Sequence, residues 1–449
     1  VSALGAAPFV PCLVGISVLL GVIAAFLLWK GKWSRVIRGV TRGDVMVRIA
    51  LIPVFVRPYS VARSNGYVTG PDGRAEFHAR GFVNGDTMTL FALVQASGNR
   101  HQAEGLLREN PFAGNGPLEY PTLVHRTLAD VMKATGGDIT RIAWWLTLPV
   151  LFGTVTVSVL SASVIFRGQR VPLWAVLLLL VAYGSTWESF TYPQSHAFLT
   201  GLFVLFILLL VRRDQCERAS EWRLLRFAIG GLVILLLFSN AVLGTAAVAV
   251  AVGSNILQLF NRSWTTRDRV SGLFGSAILL ALFFLFPPGA SALGTLNVAY
   301  TAVPQFMVAA VPAAVVLWAL WDTAWIHRSA TLLGASVLLP ALAFVTLVFS
   351  GRDIVAENSP RFLFLFVLVG WPAVIPLVQR LGDWWWRQAR HVEHALAERV
   401  VLWGGGAFAL LVLLLPAAAS VAGTLDVLVR KPPLTISTDE LAAFAWIRA

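Results

Sequence analysis

Charged residues are scarce in this chain. Of its 449 residues, 13% are Asp, Glu, Lys or Arg, whereas 57% are hydrophobic. A soluble globular domain carries about 25% charged residues, so the composition indicates a polytopic membrane protein. Cysteine is also rare: Cys12 lies in an apolar run and Cys216 in a basic loop, so we expect no disulfide framework. The start at Val1 has neither an initiator Met nor a basic stretch, which does not favour a cleavable signal peptide and suggests truncation.

Long apolar runs define the expected architecture. Counting runs able to cross about 30 Å of hydrocarbon, we predict an all-α integral membrane protein with about twelve spans. They cover approximately residues 8–29, 46–62, 140–165, 172–190, 195–211, 225–238, 241–260, 271–286, 305–321, 330–349, 361–379 and 400–422. The sixth and seventh are separated at Phe238-Ser239-Asn240, because their combined length is too great for one crossing.

Basic residues are distributed unevenly between the loops on the two sides. The loops on one side contain twenty-one Lys or Arg, whereas the short loops on the other contain only Arg352 and Arg361. Lysine and arginine accumulate in cytoplasmic loops, which also accounts for the net charge of +12 without nucleic acid as a partner. The asymmetry predicts that the segment 57–139 and the tail 423–449 lie on the extracytoplasmic face of the plasma or inner membrane.

The resulting domain organisation is a transmembrane module, 1–422, followed by the start of an extracytoplasmic region, 423–449. Thr438 is a candidate N-cap for a helix at the end of this tail. A short helix with nothing visible to pack against suggests that the full-length protein continues into a soluble domain.

Ionisable residues are nearly absent from the interiors of the predicted spans. Glu188 and His196 lie near the outer ends of their spans. Ion-coupled transporters bury acidic or basic groups near mid-membrane, so the pattern disfavours proton or sodium coupling.

The long external segment 57–139 is where a catalytic site is expected first. Within it, Asp86 precedes an amphipathic stretch, Thr87 to Val94, that is typical of an interfacial helix. Position alone favours a simple N-cap role for Asp86. Glu119 can equally be a solvated loop acid.

Several short motifs carry a family resemblance. Asp86 in the first external loop is followed by Asn110-Pro111-Phe112-Ala113-Gly114 and by an aromatic-proline stretch, Glu119 to His125. Further on come the polar turn Tyr192 to His196 and the sequence Ser359-Pro360-Arg361-Phe362-Leu363 before a late span. Together with the topology, these motifs resemble the GT-C superfamily of polytopic glycosyltransferases.

This resemblance implies an enzyme that transfers a sugar from a polyprenyl-phosphate donor to a glycan, lipid or protein acceptor at the outer membrane face. The implied reaction inverts the configuration at the anomeric carbon of the sugar. Asp86 matches the loop acid of the family and would be the catalytic base. Arg361, with Arg352, would neutralise the departing lipid phosphate. Glu119, His125, His196 and Tyr192 complete the candidate substrate-binding set.

Alternatives remain open for these residues. Arg361 can be a snorkelling anchor at a helix end, and each histidine an ordinary interfacial residue. Many GT-C members have paired acids or a metal held between two loops, whereas Asp86 stands alone. No cofactor is therefore assigned, and a divalent metal, for which Asp353 and Glu357 are candidates, is left open. The competing functions are a lipid or polysaccharide flippase or transporter, and an envelope-glycan polymerase or ligase.

Overall fold

The fold was analysed in a computed structural model. It describes residues 66–69, 75–79, 90, 94, 123–135, 146, 147, 150, 154, 158, 195–215, 219–260, 266–285, 318, 329–348, 358–390, 400, 403, 404 and 434–437. Within these ranges, the elements in chain order are β1 (Gly66–Thr69), β2 (Ala75–Ala79), α1 (Leu123–Thr135), α2 (Ser195–Asp214), α3 (Ala219–Ser239), α4 (Ala241–Gln258), α5 (Thr266–Leu285), α6 (Ala330–Val348), α7 (Asn358–Arg390) and β3 (Leu434–Ser437).

Helices α2 to α7 correspond to six of the predicted spans. They form an up-and-down bundle in which α4 is central and contacts α2, α3, α5 and α6, while α7 packs mainly on α6. One continuous core joins them, with Phe203, Phe206, Phe362 and Phe366 among its largest buried side chains. The remaining predicted spans lie outside the described residues or are described only at isolated positions, so the count of twelve stays a prediction.

Asn240 alone separates α3 from α4, where the sequence predicts a break. Its N–H donates to the Leu236 carbonyl and its own carbonyl accepts from the Gly244 N–H, both at 2.9 Å. Its side-chain oxygen accepts from the Leu243 N–H at 3.1 Å and caps α4. The two helices then turn back on each other so closely that a Cβ on Gly244 would lie 2.5 Å from the Leu237 Cα. Asparagine and glycine together make this tight hairpin.

Large apolar side chains cover the outside of the bundle. Phe227 on α3, Phe274 and Phe284 on α5, and Phe344 on α6 are exposed, and Phe260 is 80% exposed. Exposed apolar surface on this scale marks contact with lipid or another protein. Here it runs along helices whose buried side chains are also apolar. Among the described residues, one helix, Ala241–Gln258, is both long enough and apolar enough to cross a bilayer, with a mean hydropathy of 1.6. These features indicate a bundle surrounded by lipid.

A small antiparallel sheet is the exception to the predicted all-α fold. Strand β2 lies between β1 and β3, with Gly66 opposite His78 and Glu76 opposite Ser437. Pro71-Asp72-Gly73, between β1 and β2, is a typical turn sequence. The strand-forming alternation in segment 57–139 is short, and the partner strand lies more than 350 residues away, so the sequence pattern gave no sign of the sheet.

The sheet joins two distant parts of the chain on one side of the membrane. An open sheet edge cannot lie in hydrocarbon, because its unpaired N–H and C=O groups would be left without hydrogen-bond partners. Residues 66–79 and 434–437 therefore share one side of the bilayer. The helix predicted from Thr438 onward lies outside the described residues, directly after β3.

The helix directions define two ends of the bundle. At the Asp214 end, α2, α4 and α7 finish and α3, α5 and α6 begin; at the Arg361 end, the reverse holds. Arg212, Arg213, Arg226, Arg269, Arg380 and Arg387 all belong to the Asp214 end.

Candidate active site

Arg361 lies in the first turn of α7 and is partly exposed. The next residue, Phe362, is 1% exposed, and Phe366 one turn later is fully buried in the bundle core. Arg361 is therefore mounted on a rigid, packed helix. The first turn contains no acidic residue. A cation is normally disfavoured at the positive end of the helix dipole, so this combination of guanidinium and backbone N–H groups suits an anion.

Helix α1 is the described helical part of segment 57–139. Leu128 and Ala129 on α1 form a small buried cluster with Leu90 and Val94, against which Phe198 at the start of α2 packs. Leu90 and Val94 are helical, in keeping with the amphipathic pattern after Asp86. Because Phe198 is near the first residue of α2, this part of α1 lies at the Arg361 end of the bundle.

His125, on α1, is 1% exposed. Burial lowers the pKa of His125 to about 4, because the cationic imidazolium would lose its hydration. At neutral pH the side chain is an uncharged imidazole and cannot supply positive charge to a phosphate. A substrate contact by His125 remains a prediction, now restricted to hydrogen bonding by the neutral ring.

The charged residues of α1 are also affected by partial burial. Desolvation raises the pKa of Asp130 above its usual value, although Lys133 and Arg126 oppose the shift. Desolvation lowers the pKa of Arg126, with an opposing effect of Asp130. This helix therefore has an arginine and an aspartate whose charges are partly desolvated, and the sequence motifs singled out neither.

The other predicted site residues fall into two groups. His196 is the second residue of α2, at the Arg361 end, and its side chain is not among those described. Asp86, Glu119, Tyr192 and Arg352 lie outside the described residues. The structure thus brings Arg361, His125 and the His196 backbone to one end of the bundle, and all seven functional assignments stay predictions.

A buried ion pair at the opposite end was missed by sequence inspection. Arg213 and Asp214 are the last two residues of α2; their side chains are 3% and 1% exposed and lie 3.2 Å apart. The positive-inside count treated Arg213 as a loop charge. The helix in fact runs three residues beyond the predicted span, which carries both residues into the bundle.

Both carboxylate oxygens of Asp214 are fully engaged. Oδ1 accepts from Arg213 and from Gln258 Nε2, the latter at 2.8 Å. Oδ2 accepts from the Ser329 hydroxyl at 3.0 Å and from the Thr331 backbone N–H at 2.9 Å. Two donors on each oxygen hold the carboxylate in one position.

Arg213 extends the network into α4 and α5. Its NH1 donates to Asn255 Oδ1 at 2.8 Å and its NH2 to Ser254 Oγ at 2.7 Å. Asn255 in turn donates to Ser276 at 3.1 Å, and Ser254 lies 3.0 Å from Thr331 Oγ1. We call this set the Asp214 network. The available signal was a run of hydrogen-bonding residues, Ser254, Asn255 and Gln258, inside an otherwise apolar span.

In the described part of the chain, no three His, Cys, Asp or Glu side chains lie close enough together to bind a metal ion. Asp86, Asp353 and Glu357 lie elsewhere, so metal dependence stays open.

Comparison with known proteins gave matches among solved structures alone. No family model matches the chain, and no curated protein matches it either. A crystal structure of ArnT from Cupriavidus metallidurans bound to undecaprenyl phosphate is similar, with a TM-score of 0.48 and 15% identity over 86% of this chain and 71% of that one. ArnT in the apo state gives a TM-score of 0.49 and 16% identity over 85% and 74%. At these values neither fold nor function transfers from ArnT to this chain.

Proposed function

We propose that this protein is a membrane glycosyltransferase of the GT-C type, which moves a sugar from a polyprenyl-phosphate donor to a cell-envelope acceptor at the Arg361 end. Arg361 at the start of α7 is the observation that carries the proposal. It offers a planar, permanently charged donor next to helix N–H groups, at the end of a packed and apolar helix. A lipid phosphate whose tail stays in hydrocarbon must place its charge at this height.

The reaction assigns one role to each side of the scissile bond. The acceptor oxygen attacks the anomeric carbon, and its proton passes to the Asp86 carboxylate. The bond from the anomeric carbon to the phosphate oxygen breaks, and its electron pair remains on the polyprenyl phosphate. Arg361 stabilises that negative charge where it develops, and Arg352 assists from further into water.

The arrangement of segment 57–139 supports the position of Asp86. Leu90 and Val94, four and eight residues after Asp86, are buried against α1, and Phe198 at the start of α2 packs on the same cluster. The sheet with β3 ties an earlier part of the same segment to the tail on the same side. An anchored segment of this kind can hold a catalytic base more precisely than a free loop.

The charge distribution supports the extracytoplasmic placement of the Arg361 end. The described arginines concentrate at the Asp214 end, which the positive-inside rule assigns to the cytoplasm. In a chain whose Cys12 and Cys216 are replaced by serine, a cysteine at position 104 should react with a membrane-impermeant reagent on intact cells. A cysteine at position 390 should not, and the reverse labelling would contradict the placement.

An ion-coupled transporter or flippase is the competing function from another class. The Asp214 network argues against ion coupling through its carboxylate, since each oxygen already accepts two hydrogen bonds. A vacant carboxylate would be needed to take up and release a proton or cation. A glycan polymerase or ligase would share the donor chemistry and differ in its acceptor.

Sugar transfer and lipid flipping can be separated in one reconstituted system. Purified protein in liposomes is incubated with a panel of polyprenyl-phosphate sugars and acceptor lipids, and the acceptors are analysed by mass spectrometry. We expect the mass of one sugar to be added to an acceptor, and no addition with Asp86→Asn. Arg361-dependent scrambling of donor lipid with unmodified acceptor across the panel would overturn the transferase in favour of a flippase.

A further inference from the structure

The end of α7 extends beyond the bundle. The helix has 33 residues, which corresponds to about 50 Å at 1.5 Å per residue, whereas the hydrocarbon core is about 30 Å thick. Its first turns are buried against α6, but Arg380 and residues 382–388 are all exposed. A Cβ added to Gly382 would meet nothing within 4 Å. Residues 380–390, which we call the α7 extension, therefore lie at the membrane surface on the Asp214 end.

Three consecutive tryptophans dominate the α7 extension. Trp384, Trp385 and Trp386 are 52%, 42% and 49% exposed. Successive residues point about 100° apart on a helix, so three in a row cannot all pack on one protein surface. Tryptophan prefers the headgroup region, where its ring is apolar and its N–H finds polar partners. The three rings thus fix the depth of the extension at the interface.

The charged residues of the α7 extension fall on one face. At about 100° per residue, Arg380, Asp383 and Arg387 lie within an arc of roughly 60°. Arg387 Nε donates to the Asp383 carbonyl at 3.2 Å, which lays the guanidinium along the helix surface. Two arginines and one aspartate give this face a net positive charge, and Trp385 lies on the opposite face.

The start of α3, at the same end of the bundle, also has an arginine beside a tryptophan. The Arg226 guanidinium stacks on the Trp222 ring, 3.4 Å from its centroid, and donates to Ser271 on α5. Arg212 at the end of α2 is exposed at this end as well. The positive charge is therefore spread over a surface and is not confined to one helix.

We propose that the α7 extension binds the anionic phospholipid headgroups of the adjacent leaflet and selects them over zwitterionic ones. Charge complementarity supports this occupant. Arginine guanidinium groups match the geometry of phosphate oxygens, and the tryptophans hold the arginines at the depth of the headgroups. Each arginine near an anionic surface contributes about a fivefold gain in association.

The test measures which lipids stay with the full-length protein. Protein is reconstituted in vesicles with equal amounts of phosphatidylcholine and phosphatidylglycerol and re-extracted with its bound lipid. Mass spectrometry then gives the ratio of the two lipids. Arg380→Gln/Arg387→Gln is compared with Arg126→Gln/Lys133→Gln, which removes the same charge from α1 at the other end.

The wild-type protein and the α1 control variant should retain phosphatidylglycerol in preference to phosphatidylcholine. Arg380→Gln/Arg387→Gln should lower that preference at least fivefold. Added salt should weaken the wild-type preference in the same direction. An unchanged ratio in Arg380→Gln/Arg387→Gln would overturn the proposal. Cross-linking of position 388 to a second copy or to another protein, in place of lipid, would also overturn it.

Discussion

Asp214 Oδ2 accepts a 2.9 Å hydrogen bond from the backbone N–H of Thr331, which lies 117 residues further along the chain. A side chain at the end of α2 thereby caps the first turn of α6. The Ser329 hydroxyl oxygen also accepts a hydrogen bond from the Leu332 N–H of this turn at 3.3 Å. Because α6 packs along α7, this contact also supports the helix that presents Arg361 at the opposite end.

Neutralising Asp214 should destabilise the bundle strongly. Asp214→Asn leaves the Arg213 charge buried without its carboxylate, which costs about 3–5 kcal/mol. Asp383→Asn, on the exposed α7 extension, removes the same charge and should change stability by about 0.5 kcal/mol or less. Denaturant or thermal unfolding in detergent measures both, and equal stability of the two variants would show that the Asp214 network is dispensable.

The hairpin at Asn240 predicts a matched pair of glycine variants. In Gly244→Ala the new methyl group would lie 2.5 Å from the Leu237 Cα, so α3 and α4 must separate, and we expect a loss of about 1–3 kcal/mol. In Gly275→Ala nothing lies within 4 Å of the new methyl group, and the better helix propensity of alanine should stabilise by up to about 1 kcal/mol. Thermal melts of both variants decide the point. Similar shifts for the two would contradict the close packing.

The contact of α1 with its neighbours should weaken in acid. His125 has a folded pKa of about 4, below its usual 6.5, so the unfolded state binds more protons between these values. Stability present above about pH 6.5 is then lost as the pH falls toward 4, by at most about 3 kcal/mol. The hydrogen-exchange protection factors of residues 123–135, which correct for the slower intrinsic exchange in acid, should fall over this window.

Two variants separate the titrating groups of α1. His125→Leu should remove the acid-induced loss. Asp130 has a raised pKa, so its protonation favours the folded state and opposes the effect of His125; Asp130→Asn should therefore make the loss steeper. A pH profile of hydrogen exchange that is unaffected by His125→Leu would rule out histidine as its origin.

Sequence alone predicted the parts of this fold that depend on local patterns. Apolar length and the polar break at Asn240 located six helices, because hydrophobic periodicity and capping act over a few residues. The pairing of β2 with β3 depends on residues far apart in the chain, and no local signal specifies it. Arg213 looked like any loop arginine, since its burial depends on Ser254, Asn255 and Thr331 from other helices.

The candidate site was predictable to a similar extent. Arg361 was selected because positive charge is rare in the short external loops, and it lies in the first turn of a helix, at the end opposite Arg212, Arg213 and Arg387. His125 was selected by motif, and its burial, which keeps the ring neutral, depends on tertiary packing that the motif does not encode.

Arg361 should control use of the lipid donor. Arg361→Ala removes charge-assisted hydrogen bonds worth about 1.5–3 kcal/mol, which corresponds to a roughly 10- to 100-fold rise in the KM for the polyprenyl-phosphate sugar. Arg361→Lys should restore part of this, because lysine keeps the charge but loses the planar fork. Arg352→Ala should cost less, because the sequence predicts a solvated loop at this position, where salt screens its charge. If Arg361→Ala altered the melting temperature and left the donor KM unchanged, the residue would be a helix anchor.

Turnover by Asp86→Asn in reconstituted protein tests the account most directly. If Asp86 removes the proton from the acceptor, Asp86→Asn should lower kcat by about 10²–10⁴ at an unchanged melting temperature, and Glu119→Gln should cost less. An Asp86→Asn protein that transfers sugar at the wild-type rate but melts at a lower temperature would contradict the account and leave Asp86 as a helix cap.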